Sequence, residues 1–309
     1  MKRVLSIFFN TDRTYIAKIL NNPDGLKLEY LNATNTPIDL DSLHTDVQTQ
    51  AFDEIDNIIE QCGNDFDNIS IVFPADSLLI SQMPSKKGIT RDEIIELIGI
   101  ELKRTFPNLN ISNFKIQVFQ LNENKTKVNK QIAVVYQNND LSVFEQYFQK
   151  YGKEINFPYM SQIAAANCFM YNYPEFKDKN AAIVGIQNNY IDFCVVSKGN
   201  FVYFGLENYA TADQIPTALE VQIEKVKNEI VDDLAGGIYF YGKDVNYDTF
   251  MSCWEIAMIF ETEGKRLGTF RMLKSDLEER DIEYTIKTAQ YYAPSIGAAI
   301  PLYFDSIIL

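Results

Sequence analysis

Few residues in this 309-residue chain are of types, at spacings, that do chemistry. Its four cysteines, Cys62, Cys168, Cys194 and Cys253, lie far apart, and its one histidine, His44, falls in the polar loop Asp41-Ser-Leu-His-Thr45, where we expect it to be exposed. Zinc sites and disulfide scaffolds need grouped thiols or imidazoles, so neither is expected. No Gly-x-x-x-x-Gly-Lys-Ser/Thr is present to cradle phosphates and no Gly-x-Ser-x-Gly to expose a nucleophile. The acid pairs Asp53-Glu54 and Asp232-Asp233 fall at helix surfaces or ends, where solvation is a commoner role than acid–base catalysis. What remains are two polar turns, Asn10-Thr11-Asp12 and Gln187-Asn188, each directly after an apolar run. Asn10, Thr11, Gln187 and Asn188 can offer hydrogen bonds to a phosphate or another anion; as turn residues they serve equally to satisfy the strand ends around them.

The runs that hold these turns repeat. Arg3 to Asn10, Thr14 to Leu20 and Leu26 to Leu31 are three short β-rich runs, the second and third joined by Pro23-Asp24-Gly25, a hairpin signal. A helix is predicted from about Thr49 to Cys62, with Phe52, Ile55, Ile58, Ile59 and Cys62 on one face, and a strand over Ile69 to Phe73. The same grammar returns in Ala181–Ile186, Tyr190–Val196 and Phe201–Phe204, then a helix from about Asp213 to Val231 and a strand over Ile238 to Tyr241. Two copies offset by roughly 177 residues predict a duplicated α/β fold with a cleft between two halves, 1–175 and 176–309.

One stretch fits neither copy. Thr90-Arg-Asp-Glu93 is a capping box opening a helix through Ile94, Ile95, Leu97, Ile98 and Leu102 that stops before Pro107. Strands over Ile116–Leu121 and Gln131–Tyr136 flank the polar turn Asn122 to Asn129, and an amphipathic helix carrying Leu141, Phe144, Tyr147, Phe148 and Tyr151 leads back. These predict a small α/β subdomain inserted within about 76–155 of the first half. Trp254, in the apolar helix around Ser252 to Ile259, is expected to be core.

Composition limits the partners. With 28 basic and 42 acidic residues the net charge is −14, which argues against nucleic acid as the main ligand, since phosphate backbones are bound through clustered Lys and Arg. The 18 Tyr and 21 Phe are not interleaved with bases as stacking platforms would be. The charge suits a basic partner, such as the juxtamembrane tail of an inner-membrane protein, or serves solubility alone. Neither a signal peptide nor a tract of the roughly 20 apolar residues that a bilayer crossing needs is visible, so we expect a cytoplasmic protein.

A duplicated three-strand meander with helices and an insertion in the first half resembles the actin-like ATPase superfamily. Within it, Ile98-Gly-Ile-Glu-Leu-Lys-Arg-Thr-Phe-Pro107 looks like the Trp-Glu-x-x-x-x-Ile-Pro stretch of the bacterial PilM family of type IV pilus assembly, and Tyr292-Ala-Pro-Ser-Ile-Gly-Ala-Ala-Ile300 resembles its terminal Ala-x-Gly-Leu-Ala helix. FtsA and the cytoplasmic domain of the type II secretion protein GspL are similar relatives; FtsA proteins end in a basic amphipathic helix, whereas this chain ends Phe304-Asp-Ser-Ile-Ile-Leu309.

The resemblance implies an Asp-x-Gly turn after the first strand of each half, the Asp organising a metal-bound water network and the Gly admitting phosphate to backbone N–H groups. Here the first turn reads Phe8-Phe9-Asn10, with Asp12 two residues on as the acid that would compensate. The second reads Gly185-Ile186-Gln187. The adenosine loop keeps one glycine, Gly242, and Glu224 and Lys227 match the Glu-x-x-Lys that flanks adenine, a spacing that an exposed helical ion pair also has. Without the turn acids, metal-assisted phosphoryl transfer loses its charge compensation. We therefore expect a pseudo-ATPase with no required cofactor; an ATP-binding or ATP-hydrolysing protein, including an FtsA-like filament former, is the alternative. The resemblance further implies a PilN-like partner, a single-pass inner-membrane protein whose tail docks in a groove of the first half, with Ile94, Ile98 and Leu102 as candidates for one wall.

Overall fold

The structure is a computed structural model of the chain, described over residues 1–43, 49–85, 88–105, 110–121, 125, 130–275, 277 and 279–309. His44, Lys86, Lys87, Pro107 and most of the turn from Asn122 to Asn129 lie outside the described residues.

The first copy opens with β1 (Lys2–Phe9), β2 (Thr14–Asn22) and β3 (Gly25–Ala33), an antiparallel meander in which Phe9 pairs with Thr14. Helix α1 (Thr49–Cys62) buries Ala51, Ile55, Ile58 and Ile59 and returns the chain to β4 (Asn68–Phe73), which runs parallel to β1. Along β1, six successive side chains are buried, so both faces of the sheet are covered and the run, Ser6 apart, is apolar rather than alternating.

The insertion follows: β5 (Leu79–Pro84), α2 (Arg91–Thr105), β6 (Phe114–Leu121), β7 (Lys130–Gln137) and α3 (Asn138–Phe148). The capping box closes reciprocally. The Glu93 N–H donates to Thr90 Oγ1 at 3.3 Å while the Thr90 N–H donates to Glu93 Oε2 at 2.8 Å. Two short strands, β8 (Glu154–Ile155) and β9 (Tyr159–Met160), then rejoin β4, and α4 (Ser161–Asn172) leads to the second copy.

That copy is β10 (Asn180–Ile186), β11 (Tyr190–Ser197), β12 (Asn200–Asn208), α5 (Ile215–Glu229), β13 (Ile238–Tyr241), α6 (Tyr247–Ile259) and β14 (Gly264–Arg266). Strand order decides the duplication: β3-β2-β1-β4 in one sheet and β12-β11-β10-β13 in the other, each with two antiparallel pairs and one parallel pair.

The last segment, β15 (Lys274–Ser275), α7 (Glu279–Thr288), α8 (Ala293–Ala298) and β16 (Ser306–Ile308), does not stay with the second copy. β15 extends the first sheet beside β3, and β16 pairs antiparallel with β6 at the edge of the inserted sheet, whose order is β16-β6-β7-β5. The division at 175/176 read from the repeat assigns both strands to the second half; at two and three residues they are too short to carry a pattern.

Helices α4 and α8 pack together between the two large sheets, α4 against β10 and β11, α8 against β1, β2 and β4. Their approach depends on Gly297, where any Cβ would land inside the Ala164 carbonyl. Asn167 ties the pair, its Nδ2 donating to Gly297 O at 2.8 Å and its Oδ1 accepting from the Tyr303 N–H at 2.8 Å. No helix among the described residues is long and apolar enough to cross a membrane.

Candidate functional site

The two polar turns face each other at the cleft. The Asn10 N–H donates to Arg13 O at 3.1 Å and the Gln187 N–H to Tyr190 O at 3.0 Å, closing two equivalent hairpins. Their side chains meet: Asn10 Nδ2 lies 3.3 Å from Gln187 Oε1 and 2.9 Å from Asp12 Oδ1. Asp12 is engaged by its own hairpin, its Oδ2 accepting from the Tyr15 hydroxyl at 2.8 Å, with Lys243 Nζ 4.0 Å away from the second half. Burial, then the charge of Asp12, holds the Tyr15 phenol far above its usual pKa. Asn10 Oδ1 and Gln187 Nε2 are buried without hydrogen-bond partners. Thr11 and Asn188 are exposed.

Gly242 closes the second turn from above. Its φ of +104° is one that glycine adopts freely, and a Cβ there would strike the Ile186 carbonyl, so the loop after β13 lies directly on the turn. Side chains therefore touch along the line between the turns. A phosphate chain placed there would have to part Asn10 from Gln187.

One acid of this region was not singled out in the sequence. Asp192, on β11 opposite Gly185, is fully buried, and its carboxyl fills the space a side chain at 185 would need. The Gly185 N–H donates to Oδ1 at 2.9 Å, and Oδ2 is 3.0 Å from the Tyr241 oxygen. Tyr241 is 2.6 Å from Gln162 Oε1, and Gln162 Nε2 donates to Ile183 O at 2.7 Å. The Tyr241 hydroxyl, also 2.8 Å from Asp192 Oδ1, stands as a donor between the Asp192 carboxyl and Gln162 Oε1, and Gln162 is anchored to the backbone. Burial raises the Asp192 pKa to about 7, despite the lowering influence of Tyr241 and the Gly185 N–H. The sequence signal was a single acid inside the apolar run Tyr190–Val196.

The remaining predicted residues are scattered. Glu224 is exposed and Lys227 turns to the end of α6, donating to Phe260 O at 3.2 Å with its Nζ 5.6 Å from the Phe260 ring centre; among the described residues the two form no ion pair. Ile94, Ile98 and Leu102 do not line a groove. They are 0%, 0% and 1% exposed, packed with Met83, Ile116, Val118 and Val135 in the core of the inserted subdomain. A helix laid on a four-stranded sheet must spend its best apolar stripe on that sheet.

A trench does lie in the first half, between the body and the insertion. A recess of about 250 Å³ bounded by Asn10, Ile38, Asp39, Asp41 and Asp76 continues through Leu40, Asp41 and Ser77 into one of about 490 Å³ walled by Phe73, Leu79, Phe114, Tyr136 and Leu141. Its mouth is acidic, with Asp39, Asp41 and Asp76 exposed and Asp140 half-buried at the far end. Among the described residues no three His, Cys, Asp or Glu side chains are grouped to hold a metal ion.

No known protein family matches the sequence, and no curated protein does. Solved structures do match. A chain of the PilM–PilN type IV pilus biogenesis complex superposes with a TM-score of 0.72 at 10% identity, covering 96% of this chain and 97% of that one. A Bacteroides thetaiotaomicron protein of unknown function with an actin-like ATPase fold gives 0.50 at 11% identity, over 86% and 91%. This chain has the actin-like ATPase fold. The two polar turns thus stand where that fold repeats its first hairpin, and the inserted sheet, with its trench, belongs to the first actin-like half.

Proposed function

We propose that the chain is a non-catalytic cytoplasmic scaffold, peripheral to the inner membrane, that binds the cytoplasmic tail of a single-pass PilN-like membrane protein within a type IV pilus or type II secretion-like assembly platform. The carrying observation is the superposition on the PilM–PilN complex along nearly the whole of both chains. On this reading the two actin-like halves meet near 175, with the insertion spanning about 76–155.

Two features of the site support it. The turns of the cleft are in side-chain contact, and the one nearby acid of the first turn, Asp12, is bound to Asn10 and Tyr15 rather than open to a metal. The trench, by contrast, pairs an apolar floor with an acidic rim, the complement of a short extended tail with apolar anchors and basic flanks. Rim carboxylates speed encounter and the floor holds the bound tail, so association weakens with salt more than dissociation quickens. The partner side chains seated on Phe73, Leu79 and Leu141 carry most of the affinity.

The reading is tested by titrating synthetic tails of single-pass membrane proteins encoded beside this chain, at low and at physiological salt. One tail is expected to bind, more tightly at low salt. No binding of any tail, together with binding of Mg-ATP, would replace it with the nucleotide-binding alternative.

A further inference from the structure

The cleft end of the trench gathers hydrogen-bond acceptors. Its recess of about 250 Å³ lies between two single-turn helices, Leu40–Ser42 and Ala75–Ser77, which bring in Asp41 and Asp76, and the first polar turn, which brings in Asn10. Asp39 is occupied within its own turn, its Oδ1 accepting from the Asp41 N–H at 3.1 Å and its Oδ2 from the Ser42 hydroxyl at 2.6 Å. Asp41 and Asp76 are not so engaged. Among the described residues neither carboxylate is in an ion pair, and no Lys or Arg lines the recess; Lys243, the cation beside the first turn, faces Asp12 instead. The two acids feel each other. Although exposed, Asp76 is desolvated by the walls of the recess, which raises its pKa; the Tyr190 hydroxyl and the N–H groups of its own turn lower it, and the charge of Asp41 raises it again.

A third acceptor lies deeper. Asn10 is 4% exposed and lines the recess; its Nδ2 is turned to Asp12 and Gln187, and its Oδ1 is left without a hydrogen-bond partner. A buried acceptor in that state is destabilised until a donor reaches it. Two unneutralised carboxylates and one amide oxygen, contributed by three separate turns, fit a cation that donates in several directions. Among the described residues no three acids are grouped to hold a metal ion. A guanidinium suits the recess better: it is planar, always charged, carries five N–H donors in a fork, and is weakly hydrated, while Pro37, Leu40 and Pro74 offer apolar cover for its stem. An ammonium concentrates its donors at one point and holds its water more strongly.

We propose that this recess seats one arginine side chain of the bound tail, its guanidinium held between Asp41 and Asp76 with Asn10 Oδ1 as third acceptor. The source of the arginine rests on the tail reading of the trench, and the seat gives that tail a direction. The arginine enters at the cleft end, and the apolar residues beside it run past Asp41, which both recesses share, toward Phe73, Leu79 and Leu141.

The first arm of the test needs no tail. N-acetyl-arginine methylamide, its lysine counterpart and its citrulline counterpart, which keeps the shape without the charge, are titrated into the full isotope-labelled chain and followed by amide NMR, with melting curves for every variant. The arginine compound is expected to shift Asn10, Asp41 and Asp76 and to bind at least about tenfold more tightly than the citrulline compound and severalfold more tightly than the lysine one. Asp41→Asn and Asp76→Asn should each weaken it about tenfold, and Glu255→Gln on α6 not at all. Equal binding of the citrulline compound, shifts confined to other residues, or displacement by equimolar Mg²⁺ overturns the proposal. In the second arm the arginines of a tail peptide that binds are changed to glutamine one at a time. One change is expected to lower affinity about tenfold, and to have no further effect in Asp76→Asn. A tail that binds with no such arginine overturns the seat and leaves the tail reading standing; binding of the arginine compound where no tail binds supports the seat and overturns the tail as its source.

Discussion

Asn10 and Gln187 stand 177 residues apart and their side chains touch across the cleft at 3.3 Å. That separation is the offset of the repeat, so equivalent positions in the two copies meet face to face. Where each copy of an ATPase would keep a short, open turn, this chain places two amides that reach each other.

Nucleotide should therefore bind poorly. Millimolar ATP with Mg²⁺ is expected to leave the melting temperature within about 1 °C of its unliganded value and to give no phosphate release. A ligand at a hundred times its dissociation constant would add about 2.7 kcal/mol to stability, a rise of several degrees, and that result would contradict the closed-turn account.

Asp192 gives a pH signature. Its folded pKa of about 7 lies above an unfolded value of about 4, so between those values the folded chain holds the extra proton. Stability contributed by the neutral acid is thus full below pH 4, falls as pH rises to about 7, and is constant beyond. Asp192→Asn keeps an acceptor for the Gly185 N–H and for the Tyr241 hydroxyl without titrating. Relative to wild type it should gain stability progressively from pH 4 to 7, by up to about 3 to 4 kcal/mol, in urea titrations across that range; a pH-independent difference would show the carboxyl to be already ionised or already neutral throughout.

The crossing of α4 and α8 has no slack at Gly297. Gly297→Ala forces the helices apart against the whole central layer, and a loss of at least about 1 to 3 kcal/mol is expected from overpacking. Denaturant midpoints measure it. A neutral effect would mean that the two helices can slide without cost.

Ile98→Ala tests the reassignment of α2. If the side chain is core, the variant loses about 2 to 4 kcal/mol while tail affinity, measured well below its melting temperature, stays within about twofold. Unchanged stability with lost tail binding would restore the groove wall that the sequence suggested.

What the sequence displayed was periodicity, and it displayed no more than that. The meanders were legible as short apolar, β-rich runs punctuated by turn residues, α1 by its 3.6-residue stripe, and the start of α2 by the capping box at Thr90. Helix α4 was missed because it is buried nearly all round, from Ser161 to Met170, so no stripe separates its faces. β15 and β16 are too short and too distant from β3 and β6 in sequence to announce their pairing. The stripe of α2 was visible, yet periodicity identifies an apolar face without saying whether its own sheet or a partner covers it. The contact of Asn10 with Gln187, like the carboxyl of Asp192 beneath Gly185, arises from tertiary approach alone.

The tail-in-trench account is tested most directly by amide hydrogen exchange on the full chain with and without a saturating tail peptide of the membrane partner. Protection is predicted at residues 76–79 and 137–141, the two walls of the trench, with residues 94–102 unchanged because their amides are already held within α2. Asp41→Lys should diminish that protection at equal peptide concentration, most at low salt. Protection confined to the cleft turns around Asn10 and Gln187, or none at the trench with the peptide bound, would contradict it.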